Sequence, residues 1–398
     1  MRSLERVLIV GASAAGLAAA ETLRSGGFQG TVTIVGDEPH RPYDRPPLSK
    51  QVLNDGWGVE RIALRSDTDL ASLDVEWRLG CKAVQLDLQA REVRLADERR
   101  LPFDALLLAT GVAPRGLPGQ ELQGVHFLRT LDDAVAFRAR IRQGGRLLVL
   151  GAGFLGTECA AAARGAGMEV ILAYPERVPL ERAFGERVGA MLADLHRERG
   201  VTLRPDAFAQ RIVGEGGRAI GVRFRDGSEC RADLILVAIG SVPATGWLQG
   251  SGLATEDGIV CDRFCQAAPG VYAAGDVCRW FNPLLAEHVR VEHRMNATDQ
   301  GAAAARNLLG AQAEFAPISF AWSDQYSERL QAYGHFPADA DVDVTALQSG
   351  RRKCVATFKR NGQLTGVLGW NAARELRELR GRLLQPARVS ADPVRVSQ

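Results

Sequence analysis

Short apolar runs punctuated by glycine set the rhythm of this chain. Residues 6–10 (RVLIV) lead into Gly-Ala-Ser-Ala-Ala-Gly at 11–16, and an Ala/Leu-rich stretch continues to about residue 24. A second run, 31–35 (TVTIV), ends in Gly36-Asp37-Glu38. Together they predict strand, glycine turn, helix, strand and acid, the order of a dinucleotide-binding unit. The acids stand 21 and 22 residues beyond Gly16, where a ribose hydroxyl needs a partner. The pattern recurs with a strand over 146–150, Gly151-Ala152-Gly153-Phe154-Leu155-Gly156 as the turn, a helix over 157–165 and a strand over 170–173. One G-x-G-x-x-G is weak evidence, but two complete units about 140 residues apart predict two dinucleotide sites.

A helix N-terminus carries partial positive charge and free N–H groups, so each turn is built to receive a pyrophosphate. In the first turn Ser13 stands where the middle glycine belongs; its side chain is small and its hydroxyl can bond a phosphate oxygen. Two further runs, 105–110 and 234–239, end in Gly111 and Gly240. A third, VYAAGD at 271–276, ends in Asp276, which a turn-forming aspartate explains equally well.

Two segments break the rhythm. HRPYDRPPLSK at 40–50 is dense in proline, which excludes helix interior and central strand, so it reads as a stiff loop that ends in one cation, Lys50. Near the C-terminus, alternating residues 353–358 and 364–369 flank Asn361-Gly362, a hairpin signal. A helix over 374–382 follows, its arginines on a solvated face, and 384–398 shows no pattern.

At 398 residues the chain is too long for one ordinary core, which predicts two or three domains. A net charge of +2 with no long basic run argues against nucleic acid as a partner. No apolar run reaches the length of a membrane span. Arg2 and Arg6 ahead of an apolar stretch mimic a signal peptide, but a strand and glycine turn account for the same residues better. The seven cysteines are odd in number, widely spaced and include no C-x-x-C, so we expect reduced thiols, no metal site and a cytoplasmic location.

With these residues in view, the chain resembles the FAD-dependent, NAD(P)H:ferredoxin reductases of oxygenase systems, the putidaredoxin reductase and biphenyl dioxygenase reductase type. The motifs that carry the resemblance are RPYDRPPLSK (41–50), LLLATGVAPR (106–115), LRTLDDA (128–134), YAAGDV (272–277) and WSDQY (322–326). Their order and spacing span nearly the whole chain. The resemblance implies an α/β fold of two Rossmann-like dinucleotide-binding domains, glutathione-reductase-like, plus a C-terminal α+β domain. An FAD domain would take residues 1–112 and 246–318, an NAD(P)H domain 113–245, and the α+β domain 319–398.

It also implies the site. FAD would be held by Gly11, Ser13, Ala14, Ala15, Gly16, Asp37, Glu38, Arg45, Lys50, Ala83, Ala109, Thr110, Gly111, Arg129, Gly275, Asp276, Arg294 and Trp322. The nicotinamide nucleotide would lie on Gly151, Gly153, Phe154, Leu155, Gly156, Glu158, Tyr174 and Gly240. Lys50 and Glu158 would be the catalytic pair, beside the flavin nitrogen that receives hydride. A carboxylate so near a bound pyrophosphate is costly unless a cation balances it, which explains a lysine on a rigid mount. Without a cysteine pair, electrons must leave the flavin directly. The implied acceptor is a two-iron ferredoxin, bound transiently, that feeds a monooxygenase or ring-hydroxylating dioxygenase. A small acceptor such as dioxygen, a quinone or free flavin is the alternative, and a redox-switched binding protein a third. A monomer or weak homodimer is expected.

Two positions depart from the family pattern. The second unit's strand normally ends in an acid that bonds the adenosine ribose and favours NADH; Tyr174 stands there, with Glu176 and Arg177 just beyond. NADH is the expected donor and NADPH the alternative. Arg294 occupies a position where some relatives of that family carry an aromatic or apolar residue. It would start a helix aimed at the pyrimidine edge of the flavin.

Overall fold

The computed structural model describes residues 4–348 and 352–383. Strand Arg6–Val10 is the hub of a six-stranded sheet. Thr31–Val35 and Ala105–Leu108 pair with it in parallel, Glu76–Arg78 and Val271–Ala273 lie outside them, and Gln266–Ala268 closes one edge antiparallel. Residues 105–108 are buried on both faces, which is why this strand reads as an unbroken apolar run. A second parallel sheet is built the same way around Arg146–Leu150, flanked by Glu169–Ala173 and Leu234–Val237.

Helices follow both hub strands but begin earlier than the glycine spacing suggests. They span Ala14–Ser25 and Phe154–Gly165, so the last glycine of each turn lies inside the first helical turn. The reason is steric. A Cβ on Gly16 would lie 1.9 Å from the Gly11 carbonyl oxygen, and one on Gly156 equally close to that of Gly151. These glycines press the helix onto the loop before it. Helix Ala14–Ser25 also packs against Arg294–Leu308, where a Cβ on Gly301 would meet the Ala15 carbonyl oxygen at 2.2 Å.

The third sheet is antiparallel, in the order Phe320–Gln325, Glu328–Gly334, Gln363–Trp370, Cys354–Arg360, Asp341–Ala346. Asn361 and Gly362 turn its hairpin with φ of 52° and 76°, as the dipeptide predicts. Helix Ala373–Leu383 follows, inserting Leu376 into the core; the stretch 384–398 lies outside the described residues. Helix Glu181–Glu198 packs Phe184 edge-on against Phe336, with ring centroids 5.2 Å apart. This contact fixes the antiparallel sheet against the second parallel one.

Candidate functional site

The carboxyl ends of both parallel sheets open into one cleft of ≈ 850 Å³. Gly11, Ser13, Ala14 and Ala15 of the first turn line it, with Asp37 and Glu38 after the second strand, and Ala83. Ala109, Thr110, Gly111, Arg129, Gly275, Asp276, Arg294 and Trp322 complete that side. Gly153, Phe154, Leu155, Glu158 and Gly240 enter from the second unit. Four of the expected cofactor contacts, Gly16, Gly151, Gly156 and Tyr174, do not reach the wall. Gly16 and Gly156 sit behind the turns, where their lack of a side chain serves helix–loop packing, and Gly151 lies against the Ala238 carbonyl, where a Cβ would stand 2.2 Å from the oxygen.

Tyr174 is the larger correction. Its ring is 1% exposed and packs in the core of the second unit, not on the cleft. Burial pushes its hydroxyl pKa up to about 12, and the oxygen has no hydrogen-bond partner among the described residues. An apolar strand end accepts an aromatic ring, and the backbone turns this side chain inward, which its position at the end of a strand does not reveal. Tyr174→Phe is therefore expected to stabilise the fold by about 1 kcal/mol, because it deletes an unsatisfied buried hydroxyl. Chemical denaturation measures it; a loss of stability would mean the hydroxyl has a partner.

The stiff loop folds as expected around its prolines. A short 3-10 turn, Pro46–Ser49, delivers Lys50 to the base of the cleft. Lys50 Nζ donates to Glu158 Oε2 at 2.6 Å, and the residues are only 8% and 5% exposed. The loop is braced by side chains that also line the cleft, Arg45 among them. Arg45 reaches Glu38 at 2.6 Å and the Arg129 carbonyl at 2.5 Å, and the Tyr43 hydroxyl donates to Glu38 while accepting the Leu131 amide at 3.0 Å. A capping box, Thr130 with Asp133, starts helix Leu131–Ile141 and holds the Arg129 amide at 2.9 Å.

Glu158 has partners the sequence did not announce. Ser49 donates to Oε2, and Ser323 donates to Oε1 at 2.7 Å. Gln325 Nε2 donates to Ser323 Oγ at 3.0 Å and Thr157 Oγ1 at 2.9 Å, and its Oε1 lies 2.9 Å from His196 Nε2. Ser323 and Gln325 share the buried face of strand Phe320–Gln325. Polar residues at alternate core positions of WSDQY were the available signal.

His196 is fully buried beside Gln325 and Tyr326, and burial pulls its imidazole down to about 4 from 6.5. The unfolded chain takes up this proton first as pH falls, so stability is full above about pH 6.5 and is lost toward pH 4. From about pH 7 to about pH 5 the loss is ~2 kcal/mol. His196→Gln should flatten that slope in denaturant midpoints measured against pH; an unchanged slope would place the titration elsewhere.

The cleft fits FAD on its own chemistry. Arg129 is a half-buried cation whose guanidinium pKa is lowered by desolvation and by Arg45, with Asp276 opposing at 3.3 Å. Such a group suits a pyrophosphate. His293 Nδ1 and Trp247 Nε1 are buried at the cleft without partners among the described residues, as expected where a large polar group belongs. Trp322 stacks on Phe320 at 5.7 Å and offers a flat apolar wall. Arg294 starts its helix and lines the cleft as expected, but its guanidinium is bonded to Asp44 and Thr298, so its charge there is already balanced. Cys159 neighbours Glu158, yet burial pushes its thiol pKa up, and it is an inert core residue.

Two dinucleotide turns facing one cleft, with a buried Lys–Glu pair between them, define an oxidoreductase that brings a nicotinamide nucleotide to a flavin. The chain belongs to the pyridine nucleotide-disulphide oxidoreductase family, whose model matches residues 5–301, and residues 320–397 match the reductase C-terminal family. FAD and NAD(P)H are the cofactors this membership implies. The chain is 37% identical over 378 residues to the ferredoxin–NAD(+) reductase component of the anthranilate 1,2-dioxygenase system of Burkholderia cepacia, covering 94% of this chain and 93% of that one. It is 35% identical over 399 residues to the p-cumate 2,3-dioxygenase counterpart of Pseudomonas putida, covering 99% and 96%. Among solved structures, the ferredoxin reductase for the CYP199A2 system of Rhodopseudomonas palustris superposes with a TM-score of 0.90 at 31% identity, covering 95% and 93%. The covalent putidaredoxin reductase–putidaredoxin complex gives 0.89 at 29%, with the same coverage. The family is the one the sequence motifs resemble.

Proposed function

We propose that this chain passes electrons from NADH through FAD to a two-iron ferredoxin that serves an oxygenase, working in the cytoplasm as a monomer or weak homodimer. The observation that carries the reading is the cleft itself, which places a buried Lys–Glu pair between two dinucleotide turns with no cysteine pair beside it. Bound FAD supplies the ability to take a hydride and release its electrons singly. The protein's part is positional. The Gly11–Ala15 turn and Arg129 would hold the flavin nucleotide with Ala83 beside the Gly36–Asp37 turn, Gly153–Leu155 would hold the donor, and Trp322 would close the ring side. Residues 1–112 with 246–318, 113–245 and 319–398 are the corresponding domains.

NADH is the donor in this reading, with Glu176 just past the strand that ends near Tyr174 as the carboxylate available to an adenosine ribose; Arg182 balances its charge at 2.6 Å, so discrimination against a 2′-phosphate is modest and NADPH is the alternative donor. Among the described residues no helix is long and apolar enough to cross a membrane. The test is anaerobic oxidation of NADH and of NADPH by the yellow protein, with and without a two-iron ferredoxin. Oxidation of NADH that depends on the ferredoxin supports the reading. Equal rates without it, with a quinone or free flavin as acceptor, would replace it with the small-acceptor alternative.

A further inference from the structure

A second cavity, ≈ 780 Å³, lies behind the Lys50–Glu158 pair. Both residues line it as well as the main cleft, so the pair is a partition between two spaces. Polar side chains surround the rear chamber, among them Gln51, Asn54, Asp55, Arg142 and Asp324. Asn54, Asp55 and Arg142 are exposed and do not line the main cleft, so the chamber reaches solvent on a separate face. The cation in the partition is also a choice: only four of the chain's 49 lysines and arginines are lysine. A lysine ammonium can give up a proton, whereas an arginine in a protein does not.

The proposed reaction needs such an opening. A hydride carries one proton and two electrons. When two one-electron acceptors take the electrons, the balance is NADH plus two oxidised acceptors giving NAD(+), two reduced acceptors and one proton. That proton is set free inside a cleft filled by two nucleotides. We propose that it leaves through the rear chamber, with Lys50 and Glu158 as the relay between the cleft and the chamber water. Glu158 Oε2 accepts from both Lys50 and Ser49, and Ser49 lines the two cavities too, so the hydroxyl can follow a proton shift across the partition. This inference rests on the ferredoxin-reductase reading for its source of protons, but the openness of the chamber can be tested without it.

Acetic anhydride is the probe, applied to the FAD-loaded protein, with acetylation read at each lysine by peptide mass spectrometry. Lys82, Lys353 and Lys359 serve as internal references. Ala161 lines the chamber from helix Phe154–Gly165, buried at 6% exposure, so Ala161→Phe fills the chamber and is the plug. Should that variant lose its flavin, Asn54→Trp narrows the exposed mouth instead. Label is expected at Lys50 in the loaded parent and is expected to be mostly lost in the plugged variant, with the reference lysines unchanged. In the same variant, proton release into a pH dye after oxidation by ferricyanide should slow by about tenfold or more, while flavin reduction by NADH does not. Equal Lys50 labelling in plugged and parent protein would overturn the proposal. So would labelling that appears only when FAD is removed, since access would then run through the cleft. Lys50 labelling that the plug blocks, in a protein that fails to reduce ferredoxin, would leave the chamber standing and remove the functional reading alone.

Discussion

Glu158→Ala is expected to slow flavin reduction by NADH by about tenfold or more and to cost the fold about 3–5 kcal/mol. Lys50 is only 8% exposed in the partition, and among the described residues Glu158 is the one carboxylate bonded to it. Removing that carboxylate leaves a buried charge uncompensated and strips Ser49 and Ser323 of their acceptor. The two effects have separate causes, and a second variant parts them. Lys50→Met combined with Glu158→Leu removes both charges and should recover most of the stability, because a buried ion pair contributes little against a packed apolar one. It should not recover the rate, since the groups that hold charge and position at the cleft floor are gone. Denaturant titration and anaerobic stopped flow read the two quantities. A single variant that is nearly as stable as the parent, and reduced as fast, would reduce Glu158 to an ordinary helix residue.

Gly11→Ala is expected to yield protein without flavin. Gly11 has φ of 125°, and a Cβ there would stand 2.0 Å from the Ala109 carbonyl oxygen. Neither atom can retreat, because Gly11 N–H is bonded to the Val35 carbonyl and Ala109 N–H to that of Val10. The turn must open, and with it the cradle made by 11–15 and 109–111. The strain of placing a side chain there is at least about 3 kcal/mol, so FAD affinity should fall by about a hundredfold or more. Gly153→Ala is the matched comparison: its Cβ would meet nothing within 4 Å, so flavin content should match the parent. The ratio of flavin to protein absorbance after purification decides it. A fully yellow Gly11→Ala protein would show that this turn does not hold FAD.

Sequence revealed the parts of this molecule that are local. Residues 6–10, 31–35 and 146–150 are strands at the bounds their apolar runs suggest, because parallel strands are buried on both faces and carry their own boundary. Asn361-Gly362 likewise specifies its hairpin alone. Helix starts were less legible. A glycine that breaks a helix and one that lets its first turn touch a neighbouring carbonyl look alike in the chain, as Gly156 shows. The support of Glu158 was least legible. It joins Ser49, Thr157, His196, Ser323 and Gln325 through hydrogen bonds that each span more than a hundred residues of chain, and no local pattern encodes such a meeting. Tyr174 makes the opposite point, since its place at the end of a strand suggested the nucleotide side while its ring supplied core.

The central claim is that electrons leave this protein singly and directly from its flavin. Anaerobic stopped flow tests it most closely: the FAD-loaded protein, reduced with one equivalent of NADH, is mixed with excess oxidised two-iron ferredoxin while flavin and iron–sulfur absorbance are followed together. Flavin should reoxidise at the rate at which the iron–sulfur centre bleaches, with two ferredoxins reduced per NADH and far faster than decay with air. Flavin that stays reduced in the presence of ferredoxin but discharges at once to dioxygen or a quinone would contradict the account.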